Sequence, residues 1–303
     1  MKVKNLLIVS ILILFLVGCG GKADNQLEGK DPLSGGEMMF WKVSDDDSSV
    51  YLLGSIHFGK AEFYPMPNVV ETAYTESQVL GVEIDISSLD ENAVQKIIMD
   101  NMYYQDGTKL IDHLSQETVD ILTEYLKEKD MDITMFESMK PGMLILTISV
   151  LESQLAGLDE ELGIDKHYIT RAIEDDKKIV EFESIEEQMG MLFGSDEISE
   201  GLLYKTLKES QDFQTMLDSL ITLWQTGDAK AMNTFMTSWE TPEEKQYLDM
   251  LFGERDIKMT EKIEEMLADN TKAFIILGAG HYVNDDGIIN RLNKSKKYKI
   301  VKY

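Results

Sequence analysis

The chain has one cysteine, Cys19, among 303 residues. No disulfide can form within it. Basic residues are also scarce: 29 Lys and Arg stand against 55 Asp and Glu, a formal charge of -26. That balance argues against nucleic acid as a partner, because its binders carry basic patches that neutralise phosphates. It equally disfavours an electrostatic hold on anionic lipid, and the acidic excess reads as a solvated surface. Long apolar runs are missing from the body of the chain. The most apolar internal stretch, residues 142–150, is short and contains Thr147 and Ser149, so it reads as a buried helix rather than a membrane span. No repeat of 20–50 residues is visible. The three aspartates Asp45-Asp46-Asp47 lack the glycine and distal glutamate of a calcium loop and read as a polar turn.

What is present begins at the N-terminus. Met1-Lys2-Val3-Lys4-Asn5 is a basic leader, and residues 6–17 are apolar apart from Ser10. The run suits a secretory signal and is too short for a comfortable span. Leu16-Val17-Gly18-Cys19 matches the bacterial lipobox, which implies cleavage before Cys19 and a lipid on its thiol. The expected organisation is a signal peptide over residues 1–18, a flexible glycine-rich tether over 19–37, and a folded domain over 38–303. The expected location is the extracytoplasmic face of a cell membrane, held there by the N-terminal lipid.

Two stretches organise the domain. Val50-Tyr51-Leu52-Leu53-Gly54-Ser55-Ile56-His57 and Phe274-Ile275-Ile276-Leu277-Gly278-Ala279-Gly280-His281 are both an apolar strand followed by Gly-x-x-His, and they hold two of the four histidines. A glycine just past a buried strand lets the chain turn sharply, and ligands of open α/β sheets bind at such strand ends. Gly54 and Gly278 are therefore expected to shape the backbone, and His57 and His281 to share one site. Histidines with nearby carboxylates serve either metal ligation or metal-free acid–base chemistry. His113 reads as a surface or capping residue, and His167 as structural.

The remaining pattern predicts strands over 39–43, 49–53, 78–85, 178–183, 274–277 and 298–301. Within the third, Glu83 and Asp85 lie two apart and so on one face. Asn68 with Glu71, and Ser88 with Glu91, predict two helix starts. Thr241-Pro242-Glu243-Glu244 predicts a third. Residues from about 112 to 267 are mostly helical by periodicity, with the many methionines as core filler. The fold class is α/β: a mixed central sheet formed by N- and C-terminal segments, with a large helical insertion.

Leu53-Gly54-Ser55-Ile56-His57, Val82-Glu83-Ile84-Asp85, Phe182-Glu183-Ser184-Ile185-Glu186-Glu187-Gln188, Glu254-Arg255-Asp256 and Gly278-Ala279-Gly280-His281-Tyr282-Val283 occur in this order from about Phe40 to the C-terminus. Together they resemble the TraB/GumN family, which includes the Tiki proteases of extracellular signalling peptides and pheromone-shutdown proteins of bacterial conjugation. The resemblance implies a metal-dependent hydrolase, metallopeptidase-like, acting on short peptides. His57 and His281 would hold a divalent metal (manganese, cobalt or zinc), with Glu83 as third ligand or general base. Arg255 would hold a substrate carboxylate or an oxyanion, followed here by Asp256 where the family commonly has Asn. Glu183 would be a further acidic site residue. The alternative reading is a lipoprotein that captures a peptide or small ligand in the same cleft without reacting.

Overall fold

The computed structural model describes residues 33, 37–192, 196–237 and 242–303. The expected signal peptide, Cys19, the expected tether up to residue 36 apart from Leu33, and the expected Thr241 cap lie outside the described residues.

The N-terminal hairpin pairs β1 (Phe40–Ser44) with β2 (Ser49–Ser55). Asp45 closes its turn by accepting from the Ser48 amide at 2.7 Å and the Ser48 hydroxyl at 2.8 Å, the local self-bonding that favours Asp in turns. The chain continues through α1 (Asn68–Glu76), β3 (Val79–Val82), α2 (Glu91–Met102), α3 (Gln116–Glu128), α4 (Pro141–Leu155) and α5 (Ile164–Glu174) to β4 (Lys178–Glu181). Then come α6 (Ile185–Leu192), α7 (Asp196–Lys208), α8 (Phe213–Thr226), α9 (Ala229–Thr237) and the long α10 (Pro242–Ala268). The last segment adds β5 (Ala273–Gly278), α11 (Ala279–Val283), α12 (Ile288–Ser295) and β6 (Lys299–Lys302).

The six strands form one sheet in the order β4-β3-β5-β2-β1-β6. β4, β3, β5 and β2 run parallel to one another; at one edge β1 pairs antiparallel with β2, and β6 antiparallel with β1. β5 slots between β3 and β2, so all six of its residues are buried. A central parallel strand covered on both faces needs such an unbroken apolar run. The fold is mixed α/β, with N- and C-terminal segments sharing one sheet. Helices account for most of residues 91–268, but β4 interrupts them and returns to the sheet edge.

The helical region has its own apolar centres. Val94, Ile98, Met102, Met143, Ile185 and Met189 form one, and Leu110, Leu122, Leu126, Leu144, Ile148 and Leu203 another. α4 begins with Pro141 at its first turn and is buried on almost every side, as its run of apolar residues requires.

Several local expectations change. Asn68 is the first helical residue of α1 rather than its cap, and Glu71 instead binds Arg171 at 2.6 Å and the Tyr168 hydroxyl at 3.1 Å. Asp90, not Ser88, caps α2, accepting from the Asn92 amide at 2.8 Å. β3 stops at Val82, so Glu83 and Asp85 do not share a strand face. Asp85 is turned aside to accept from Ser87, and its own amide donates to Glu181.

Candidate functional site

Because four strands run parallel, their carboxyl ends lie along one edge of the sheet. Each delivers a polar side chain just beyond its last residue. His57 follows β2, Glu83 follows β3, Glu183 follows β4, and His281 follows β5 on the one-turn α11. The backbone of β3 and β4 stays zipped past the strand ends, with the Glu183 amide donating to the Glu83 carbonyl at 2.9 Å. The chain thus converges four residues that are far apart in sequence.

Gly278 marks the meeting point. A methyl group added to its Cα would lie 3.2 Å from Glu83 Oε1, 3.6 Å from His57 Nε2 and 3.7 Å from His281 Cδ2. Neither Gly278 nor Gly54 has a positive φ, so the sharp-turn expectation is corrected: their value is room. At Gly54 a methyl would meet Met39 Cβ at 3.0 Å and Ala279 Cα at 3.1 Å.

Both histidines have an aspartate at Nδ1, as a close charge contact for His57 and as a hydrogen bond for His281. His57 Nδ1 lies 2.6 Å from Asp165 Oδ2 at the start of α5. His281 Nδ1 lies 2.5 Å from Asp256 Oδ1 on α10. A carboxylate at Nδ1 fixes ring orientation and presents Nε2 to the site. His57 Nε2 is buried and has no hydrogen-bond partner, while His281 Nε2 is 3.8 Å from Glu83 Oε1. Burial alone would lower the His57 pKa, but Asp165 and then Glu83 outweigh it and the net shift is upward. Burial pushes the Asp256 carboxyl above its usual range, opposed by His281 and by Asn284, whose amide donates to Asp256 Oδ2 at 2.6 Å.

Glu83 is almost fully buried and held on both oxygens. Oε1 accepts the Gly278 amide at 2.6 Å. Oε2 accepts Gln188 Nε2 at 2.8 Å and Arg255 Nη2 at 3.3 Å. Arg255 makes a bidentate pair with Glu183 at 2.5 and 2.6 Å and donates Nη1 to the Leu251 carbonyl at 2.5 Å. Such a planar fork suits a carboxylate. Burial would raise the Glu183 pKa, but the Arg255 guanidinium outweighs it and holds the carboxyl below its usual range.

The donor chemistry fits a divalent metal in part. Two imidazoles backed by carboxylates, with a buried carboxylate nearby, are what zinc, manganese or cobalt sites use. Among the described residues no three ligating side chains are gathered as a group that could hold a metal. His113 and His167 stand elsewhere, stacked on Tyr104 and Tyr64 at 3.9 and 4.1 Å between ring centroids.

Sequence reasoning overlooked the roles of Asp256, Asn284 and Gln188. Asp256 directly follows Arg255 and Asn284 sits three residues after His281, so both were within reach of the motifs. Nothing in the sequence tells which acidic neighbour faces a ring.

The chain is similar to other proteins over most of its length. A protein of Escherichia coli (strain K12), "Uncharacterized protein YbaP", is 24% identical over 221 residues, covering 71% of this chain and 78% of that protein. An "Uncharacterized protein" of Treponema pallidum (strain Nichols) is 20% identical over 307 residues, covering 96% of this chain and 90% of the other. No solved structure matches the chain. The TraB/PrgY/gumN family matches residues 39–301, nearly the whole described domain, and the chain belongs to that family.

Proposed function

We propose that the chain is a membrane-anchored, extracytoplasmic, metal-dependent hydrolase, a metallopeptidase acting on short peptides. The observation that carries the reading is the symmetric pair of histidines, each tied at Nδ1 to a carboxylate and converging with Glu83 on the point above Gly278. The anchor rests on the Leu16-Val17-Gly18-Cys19 lipobox. No helix of the described residues is long and apolar enough to cross a membrane.

His57 Nε2, His281 Nε2 and Glu83 would hold the metal. When bound, such an ion lowers the pKa of a coordinated water and polarises a scissile carbonyl. Asp165 and Asp256 accept the Nδ1 protons and keep the Nε2 lone pairs turned inward. Where Glu83 does not ligate, it is the carboxylate at the convergence point that takes a proton from an attacking water. Arg255 already donates to Glu183, Glu83 and Leu251. Its role in this reading is to orient Glu83 rather than to grip a substrate carboxylate, and Glu183 in turn orients Arg255. The apolar surround of His57 keeps water out and strengthens these polar contacts.

One observation favours the second reading, a peptide- or small-ligand-binding lipoprotein: a largely apolar cavity opens beside His57, as binding pockets do.

The test uses the full-length chain in detergent, loaded with zinc, manganese and cobalt in turn. One metal equivalent and cleavage of a mixed peptide pool are expected, both lost in His57→Ala and His281→Ala. Absence of metal and of cleavage in the parent, with thermal stability unchanged in both variants, would leave the binding lipoprotein as the function.

A further inference from the structure

The cavity beside the histidines has a volume of about 60 Å³. His57 and Gly278 belong both to its wall and to the candidate site, so the cavity borders that site. Its opposite wall comes from the helical region: Leu217 and Ile221 on α8, Met232 and Met236 on α9, and Ser153 on α4. Gly280 closes the floor, where an added methyl would lie only 2.8 Å from Met236 Cε. Three buried polar atoms on this wall have no partner: His57 Nε2, Ser55 Oγ and Ser153 Oγ. Buried hydroxyls in a finished core are nearly always hydrogen-bonded. Two of them facing one apolar space, together with the free histidine nitrogen, point to an occupant that brings its own polar atoms.

We propose that this cavity is a specificity subsite for one short branched aliphatic side chain, of valine or leucine size, belonging to the substrate residue whose carbonyl lies at His57 and His281. Ser55 and Ser153 hydrogen-bond the polar backbone atoms flanking that side chain. The position of the reacting carbonyl rests on the hydrolase reading above. The size follows from comparison: a cavity of roughly 150 Å³ admits benzene, and a single water needs about 15 Å³. The space exceeds what one or two waters require and is under half the size of that benzene cavity, which favours a short branched side chain over an aromatic ring. Its lining carries no carboxylate, lysine or arginine, so no ion pair there offsets the desolvation of a charged side chain. Met232 and Met236 are unbranched and conform to the shape of what enters.

The test is a binding measurement that needs no turnover. Full-length chain in detergent, labelled at methionine methyl groups, is titrated with N-acetyl-leucinamide, N-acetyl-alaninamide and N-acetyl-phenylalaninamide. The leucine probe is expected to move the Met232 and Met236 signals saturably and to bind at least about tenfold tighter than the alanine probe, the scale set by missing methylenes in an apolar pocket. Ser153→Leu fills the space and weakens the leucine probe by about tenfold or more. Leu217→Ala widens it and brings the phenylalanine probe level with the leucine probe. Equal affinity for leucine and alanine probes, or leucine affinity untouched by both variants, overturns the subsite and leaves a water-filled packing gap. Selective binding without cleavage of any peptide removes the hydrolase and keeps the subsite. Cleavage indifferent to the side chain keeps the hydrolase and removes the subsite.

Discussion

The two Gly-x-x-His corners share a sequence pattern but are braced by different means. The β2 corner is held mainly by backbone. Gly59 and Asp159 exchange hydrogen bonds at 2.9 Å in both directions, the Ile164 amide donates to the Ile56 carbonyl at 3.1 Å, and Trp224 Nε1 donates to the Gly54 carbonyl at 2.8 Å. Its histidine relies on Asp165, which is 17% exposed. The β5 corner is held by buried side chains: His281, Asp256 and Asn284 bond in sequence, and Asp256 is 1% exposed. Duplication of a motif therefore does not duplicate its energetics. One corner can yield locally at the cavity rim, while the other is part of the core.

The sharpest break in that comparison is Asp256→Ala against Asp165→Ala. Removing Asp256 strips the buried His281 Nδ1 and one Asn284 donor of their acceptor. Breaking a buried pair of this kind costs about 4 kcal/mol. Removing Asp165 breaks a pair that is partly solvated on its carboxylate side, and the cost is about 1 kcal/mol. Denaturant unfolding of both variants checks the ranking, and equal losses would contradict the asymmetry. Asp256→Asn keeps an acceptor for the ring and falls between the two.

The glycines separate the corners next. Gly54→Ala forces its methyl against Met39 and Ala279, an overpacking expected to lower stability by about 2 kcal/mol. Gly278→Ala has only the Glu83 carboxylate at 3.2 Å to displace, so its stability loss is about 1 kcal/mol or less. Its methyl, however, occupies the point on which His57, His281 and Glu83 converge. Stability should therefore fall more in Gly54→Ala, and bound metal should fall more in Gly278→Ala. The reverse pattern would place the convergence point elsewhere.

These contrasts also mark what the sequence could carry. The strand-end histidines were legible because an apolar run, a glycine and a histidine recur in the same order, and a parallel sheet brings such ends together. The central position of β5 was legible in its unbroken apolar run. Helix starts were less so: Asn68 and Ser88 each had an acidic residue three positions on, but Pro67 and Asp90 took the capping position, and Glu71 was drawn to Arg171 by tertiary packing. The pairing of each histidine with its aspartate depends on how α5 and α10 lie against the sheet. Periodicity encodes which face of a helix is buried, not which carboxylate on it meets a ring. For the same reason the spacing of Glu83 and Asp85 misled: alternation holds only while the strand lasts, and β3 ends at Val82.

The pH dependence of the Arg255 network tests whether charge distinguishes the β5 corner. Glu183 completes the network around Arg255, next to Asp256, and its carboxyl titrates below the usual glutamate range because the guanidinium favours the charged form over the cost of burial. A depressed carboxyl pKa stabilises the fold above the unfolded value of about 4.3 and loses that contribution as pH falls through the lower folded value. Glu183→Gln should therefore cost about 1 to 2 kcal/mol at neutral pH, because Arg255 keeps its contact with Glu83 and Gln retains an acceptor. The gap between parent and variant should hold steady down to about pH 5 and then narrow as the parent's own Glu183 takes up a proton. Asp165→Ala, at the backbone-braced corner, provides the control across the same range. Thermal unfolding between pH 7 and pH 3 reads both curves. A Glu183→Gln gap that stays constant into acid would mean that shape rather than charge holds Arg255, and the two corners would then differ in burial alone.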